Sequence, residues 1–125
     1  MRETTDTRFK ITTAGTHQMT ATKPCIKKMS KSDSPKPYYE FYFEFMNDGK
    51  LESHLEILFP NQAGMLLRAL QCKEVEPGVF DWDKEEIIGR KIVAEIAHIP
   101  DRKDKTKLRA SIVKAEPVPE EAVPF

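Results

Sequence analysis

A chain of 125 residues, 39% apolar and with seven Phe, suffices for one domain around one core. Twenty basic and twenty acidic residues cancel, so attraction to a polyanion cannot come from bulk charge. No run approaches the about 20 apolar residues of a membrane span, and MRETTDTRFKITTAG has no signal-like apolar stretch. The expected compartment is the cytoplasm.

The charge comes in blocks. Residues 1–39 carry a net +5, 40–86 a net −7, 87–115 a net +5 and 116–125 a net −3. Such blocks imply separate surfaces with separate partners. Cys25 and Cys72 are distant in sequence and form no CxxC pair, which favours two reduced, buried thiols over a zinc site or a disulfide.

Residues 1–15 are Thr-rich and weakly patterned, an N-terminal arm or a short leading strand. HQMTATKPCIKKM predicts a first strand, with Pro24 at a bulge, bend or edge position. KSDSPKP is a loop. YYEFYFEFM, NDG and LESHLEILF together predict a β-hairpin, because Asn, Asp and Gly tolerate positive φ between two alternating segments. Tyr39, Phe41, Phe43 and Phe45 share one face, expected to be core, with Leu51, Leu55 and Ile57 as partners on the next strand. The opposite face carries Tyr38, Glu40, Tyr42 and Glu44, and then Glu52, His54 and Glu56.

NQAGMLLRALQC predicts about three turns of helix, capped by Asn61, with Ala63, Leu66, Leu67 and Leu70 on one stripe. KEVEPGVFDWDKEE is expected to be a loop whose Phe80 and Trp82 plug one end of the core. IGRKIVAEIAHI and LRASIVKAEPV are the fourth and fifth strands, joined by the charged turn PDRKDKTK. The fold class is therefore mainly β. The expected architecture is an OB-like five-stranded barrel spanning residues 16–115, with one helix between strands three and four. A sandwich-like α+β roll fits the same string. Residues 116–125 form an acidic, proline-rich tail.

Single-stranded nucleic acid needs cations for its phosphates and flat rings for its bases. Lys27, Lys28, Lys31 and Lys36 lie at or after the first strand. Arg90 and Lys91 enter the fourth, and Arg102, Lys103, Lys105, Lys107 and Arg109 surround the last turn. In an OB-type barrel the loops after strands one and four flank the binding face. Tyr38 and Tyr42 are the expected stacking rings. The carboxylates sharing their face would repel phosphates. Bases could contact this face while phosphates follow the loops, the face could be a dimer contact, or binding could lie across strands one, four and five.

No catalytic residue, metal or cofactor is expected, and hence no enzyme. His17, His54 and His98 lack ligand spacing, the five Gly form no phosphate loop, and the neighbours Glu85 and Glu86 face apart.

The chain ends in PEEAVPF. Prolines keep such a segment extended, Phe125 can fill an apolar pocket, and its carboxylate can meet a cation beside it. Glu120 and Glu121 steer toward a basic partner.

FDWDKEEIIGRKIVAEIAHIPDRKDKTKLRASIVKAEPV, with its step Ile88, Gly89, Arg90, Lys91 followed by strand, charged turn and strand, resembles small phage and prophage single-stranded DNA-binding proteins of the OB-fold class. The resemblance extends over residues 17–115. The ending Val123, Pro124, Phe125 behind Glu120 and Glu121 is similar to the acidic tip of bacterial single-strand-binding proteins, with Val in place of Ile and fewer acids. These likenesses imply a non-specific single-stranded DNA-binding protein of phage replication or recombination. It would protect strands, recruit replication or recombination proteins through its tip, and work as a homodimer or higher oligomer. An OB-like protein-interaction module without nucleic acid and an RNA-binding OB protein are the alternatives. A virion structural role is a weaker third.

Overall fold

The computed structural model describes residues 11–31, 33–101 and 104–119. Four strands come first: β1 (Gly15–Ala21), β2 (Ile26–Met29), β3 (Pro37–Asn47) and β4 (Lys50–Leu58). A 3-10 turn at Pro60–Gln62 leads into α1 (Gly64–Ala69). A small ribbon of β5 (Lys73–Glu76) and β6 (Val79–Asp81) precedes the long pair β7 (Lys91–Pro100) and β8 (Leu108–Pro117). The protein is mainly β, and all its described strand pairs are antiparallel.

β3 organises the sheet. It pairs with β4 along one edge and with β2 and then β1 along the other. β7 lies beside β1, and β8 beside β7. The strand expected over residues 17–29 is thus two strands. Pro24 has no backbone donor to give a ladder, and the Cys25 N–H leaves the sheet for the Lys84 carbonyl, 3.0 Å away. The segment expected as a loop at 73–81 pairs with itself around Pro77 and Gly78, whose φ of 79° suits the turn. Together these differences give eight strands among the described residues where five were expected.

The helix is shorter than expected. Asn61 lies inside the 3-10 turn and does not cap α1, whose preceding residue Ala63 has no side-chain acceptor. Gln71, at φ 61°, ends the helix, and the Cys72 N–H donates back to the Leu67 carbonyl at 2.9 Å. Arg68 grips Glu74 with two hydrogen bonds of 3.0 and 2.8 Å, and the Gly78 N–H donates to the same carboxylate at 2.8 Å. That fork ties α1 to the ribbon and holds the Glu74 carboxyl down at about 2.

Phe41, Phe43 and Phe45 are buried as the alternation predicts, with Met19, Leu66, Leu70, Ile87, Ile92 and Ile96 around them. Trp82 stacks on Phe41 and meets Tyr39 edge-on, covering one end of this core. Their expected partners on β4 face the other way. Leu51, Leu55 and Ile57 are 63%, 38% and 45% exposed, whereas His54 and Glu56 are each 3% exposed. The cause is the turn. Asp48 and Gly49, with φ of 51° and 76°, make a two-residue loop. That loop pairs Asn47 with Lys50, and so Phe45 with Glu52, Phe43 with His54 and Phe41 with Glu56. Opposed residues share a face. Apolar partners would have required one residue more in the turn.

The inward polar residues are fully occupied. Glu56 Oε1 accepts from the Ile112 N–H of β8 at 3.0 Å and lies 2.7 Å from His54 Nε2, while Oε2 accepts from Ser111 Oγ at 3.2 Å. An ionised carboxylate only accepts, so Nε2 is the donor; in a neutral imidazole Nδ1 then accepts from the Thr12 hydroxyl at 2.8 Å. The Thr12 carbonyl lies 2.7 Å from His98 Nε2 on β7. Thr13 donates to Glu52 from both its N–H and its hydroxyl. Among the described residues no backbone ladder joins β4 to β8, and Glu56 supplies the acceptors that a ladder would have offered.

Replacing Glu56 with Leu leaves the Ile112 N–H, the Ser111 hydroxyl and His54 without this partner. The expected loss is about 3–5 kcal/mol, read by urea unfolding. Glu56→Gln keeps one acceptor oxygen and should lose clearly less; equal losses would mean that packing, not hydrogen bonding, holds the seam.

Cys25 and Cys72 are both buried thiols. Burial pushes Cys25 up to about 12 and Cys72 up to about 11, and Cys72 adds a smaller upward push on Cys25. Both should resist iodoacetamide at pH 8 in the folded protein and react on unfolding. A raised thiol stabilises the fold fully below its unfolded value of about 9, and that contribution is lost as pH climbs through 11 to 12. Rapid alkylation of the native protein at pH 8 would contradict this burial.

Candidate nucleic-acid interface

The outer face of the β2–β3–β4 region follows from the same register. Pairing puts Lys28 beside Tyr38, Ile26 beside Glu40, Ile57 beside Glu40 from the other side, and Leu55 beside Tyr42. Tyr38 and Tyr42 are half-buried. Glu52, His54 and Glu56, expected on this face, are turned inward. The expected acidic surface is therefore an apolar and aromatic one, with Glu40 and Glu44 as its β3 carboxylates. Glu40 is already matched by Lys28 at 3.0 Å, and that bond raises the Lys28 ammonium above its usual range.

Lys23 was not among the expected contacts, yet it stands 4.5 Å over the Tyr42 ring. It precedes Pro24 at the break between β1 and β2, where the chain passes beside β3: the Thr22 N–H donates to the Tyr42 carbonyl at 3.3 Å. The proline was a legible signal for a bend, but which ring the bend would reach was not. Met46, Leu51, Leu55 and Ile57 are further exposed side chains of this face that the alternation had assigned inward or left aside.

The remaining expected cations separate into groups. Lys27 is exposed and paired with Tyr39, on the other face of β2 from Lys28. Lys31 and Lys36 are exposed in the β2–β3 loop, which Ser30 closes by donating its N–H to the Lys36 carbonyl and accepting the Lys36 N–H at Oγ, both at 2.9 Å. Phe59, Pro60, Pro37, Asn61 and Lys36 line an open recess of about 390 Å³ beside that loop. Lys105 and Lys107 are exposed in the β7–β8 turn, and Arg102 and Lys103 lie outside the described residues. Gly15 pairs with Ile96, so the β7–β8 turn projects past the start of β1, whereas the β2–β3 loop lies past its end. The two basic loops stand at opposite ends of the strands, with the outer face of β3 between them. Lys91 is exposed at the start of β7, opposite Thr20.

Arg90 and Arg109 have different surroundings. Arg90 bonds Glu86 at 3.0 Å and donates to the Leu70 and Gln71 carbonyls at 3.1 and 3.4 Å, satisfying the C-terminal end of α1. It is held by the fold rather than offered to a phosphate. Arg109, opposite Ile99 on β8, is half-buried, and its Nε is buried without a partner among the described residues. The tip residues Glu120, Glu121, Val123, Pro124 and Phe125 lie outside the described residues.

Among the described residues no group of three or more His, Cys, Asp or Glu could hold a metal ion, and no helix is long and apolar enough to cross a membrane.

The two kinds of cation should separate in a stability assay. Arg90→Ala strands two carbonyls and Glu86 and should cost about 1–3 kcal/mol; Lys91→Ala should stay within about 0.5 kcal/mol of the parent. Urea midpoints decide, and an Arg90→Ala protein as stable as the parent would return Arg90 to the pool of free cations. No protein-family model, no curated protein and no solved structure matches this chain.

Proposed function

We propose that the protein binds single-stranded DNA with little base preference and coats strands exposed during phage replication or recombination. The observation that carries this reading is the outer face of β3, where Tyr38 and Tyr42 stand among Lys23, Lys28, Leu55 and Ile57 and the carboxylates of β4 are turned away. Bases stack on the rings, and the ammonium groups meet phosphates. Lys23 covers the Tyr42 ring in the free protein. An exposed cation–π contact is worth about 0.5–1 kcal/mol, against about 1–3 kcal/mol for a stacked base. A base therefore displaces the ammonium, which is then free for the adjoining phosphate.

The finer fold reading is an OB-type, partly open barrel. Its support is the path β4–β3–β1–β7–β8, α1 between β4 and β7, and the Glu56 junction that brings the two ends of the path together. In that fold the β2–β3 loop with Lys31 and Lys36, and the β7–β8 turn with Arg102, Lys103, Lys105 and Lys107, carry the strand in and out. The protein is a binder, not an enzyme, works in the cytoplasm of a bacterial host, and takes no cofactor. Glu120, Glu121, Val123, Pro124 and Phe125 recruit replication or recombination enzymes.

One observation favours a second reading, a protein-interaction surface. Met46, Leu51, Leu55 and Ile57 form an exposed apolar row along β4 and the end of β3. A second copy covering part of this row is the route to a homodimer.

Fluorescence anisotropy with labelled oligo-dT, at low and moderate salt, tests the proposal. Binding should weaken with a log–log salt slope of about 0.7 per phosphate contact. Tyr42→Ala should cost roughly 5- to 150-fold in affinity, the equivalent of one stacked base at about 1–3 kcal/mol. A chain stopped after Pro117 should bind at least as tightly, since the lost residues are acidic. No binding at low salt by either chain would sink the single-strand reading in favour of the interaction module. Tighter binding of oligo-U would move it to RNA.

A further inference from the structure

Beyond Tyr42 the outer face changes character. Thr20 pairs with Glu44 on one side and with Lys91 on the other, and Glu44 pairs with Ser53. Lys91, Thr20, Glu44 and Ser53 thus form one row across β7, β1, β3 and β4. Beside the row, Gln18, Thr20, Thr22, Glu44, Met46 and Leu51 line a recess of about 520 Å³, within the range of small-molecule sites. Glu44 is half-buried there and has no hydrogen-bond or ion-pair partner among the described residues. Glu40, on the far side of Tyr42 along the same face, has Lys28. A carboxylate on a face meant for a polyanion is a liability unless the ligand brings it hydrogen-bond donors.

We propose that Glu44 makes this recess a guanine-selective subsite for one base of the bound strand. This rests on the single-strand reading. On an unpaired strand the Watson–Crick edge is free to be read. Guanine offers N1–H and the N2 amino group side by side, two parallel donors that match the two oxygens of a carboxylate as a guanidinium does. Its O6 is an acceptor on the same edge, within the province of the Lys91 ammonium or the Thr20 hydroxyl, the donors next in the row. Thymine presents O2 and O4, which a carboxylate repels, on either side of a single N3–H. Cytosine and adenine each present one amino group beside ring acceptors. Met46 and Leu51 supply the apolar floor, and Tyr42 a ring for the neighbouring base. The subsite adds one selective position to a surface that otherwise stacks any base.

The test compares oligo-dT with the same oligomer carrying a central run of dG, and with deoxyinosine in place of dG, by anisotropy at one salt concentration. The dG oligomer should bind about tenfold tighter than oligo-dT. Deoxyinosine lacks the N2 amino group and should lose most of that gain. This arm uses the unaltered protein, so folding of a variant does not enter. In Glu44→Gln, whose amide offers one acceptor and one donor, the dG-to-dT affinity ratio should fall close to one. Free GMP should compete far less well than the dG oligomer, because it lacks the flanking stacked bases. Binding of oligo-dT without a dG gain, deoxyinosine equal to dG, a gain retained in Glu44→Gln, or GMP competing as well as the oligomer would each overturn the strand-borne guanine subsite and leave the single-strand reading standing. Failure of every oligomer to bind at low salt would overturn the reading itself, and the subsite with it.

Discussion

A single buried carboxylate joins the two end strands of this sheet. Glu56 takes the Ile112 N–H, the Ser111 hydroxyl and the His54 imidazole, and Thr12 completes the chain of contacts to β7. A charge taken out of water is tolerated only when every lone pair it turns inward is used, and here each oxygen has its donor. The backbone-bonded path begins at β4 and ends at β8. Those two strands meet through this side chain. The demand reaches outward as well: once the even-numbered residues of β4 are committed to the interior, its odd-numbered Leu51, Leu55 and Ile57 must face the solvent side.

Much of the architecture was legible. The aromatic alternation of β3, the tight turn at Asp48 and Gly49, the long final pair of strands and the loop between β2 and β3 follow from side-chain period and turn chemistry. What alternation could not decide was the register of β4. LESHLEIL alternates equally well either way, and hydrophobicity argues for Leu inside. The two-residue loop argues for His54 and Glu56 inside, and the loop wins because it is a covalent constraint. Apolar burial of three side chains is not, when their polar neighbours have waiting partners. Those partners, Thr12 and the β8 backbone, are 42 or more residues away in sequence, beyond the reach of local reasoning. The ribbon was missed for a smaller reason: the Pro77–Gly78 turn was legible, but its flanking strands are four and three residues long and, apart from Phe80, exposed.

The candidate surface was legible in part and for mixed reasons. Tyr38 and Tyr42 face outward because their neighbours Phe41 and Phe43 face inward, which is simple parity. The cations were harder, since a lysine's charge says nothing of what it is already holding. Arg90 closes a helix, Lys28 neutralises Glu40, and Lys23 rests on an aromatic ring. Only the fold distinguishes an ammonium spent on structure from one available to a ligand. The same accounting separates Glu40 from Glu44 on one strand.

The contact between β4 and β8 is made by a side chain, apart from the ladders that make the secondary structure of this protein. Each strand of the larger sheet keeps its ladder through backbone bonds to β3, β1 or β7, and the side chain of Glu56 takes no part in them. The sheet is a strap whose two end strands touch at one clasp, and the clasp can be undone without unpicking the weave. A change at residue 56, on the inner side of β4, therefore loosens the contact between β4 and β8 while leaving the content of strands as it was.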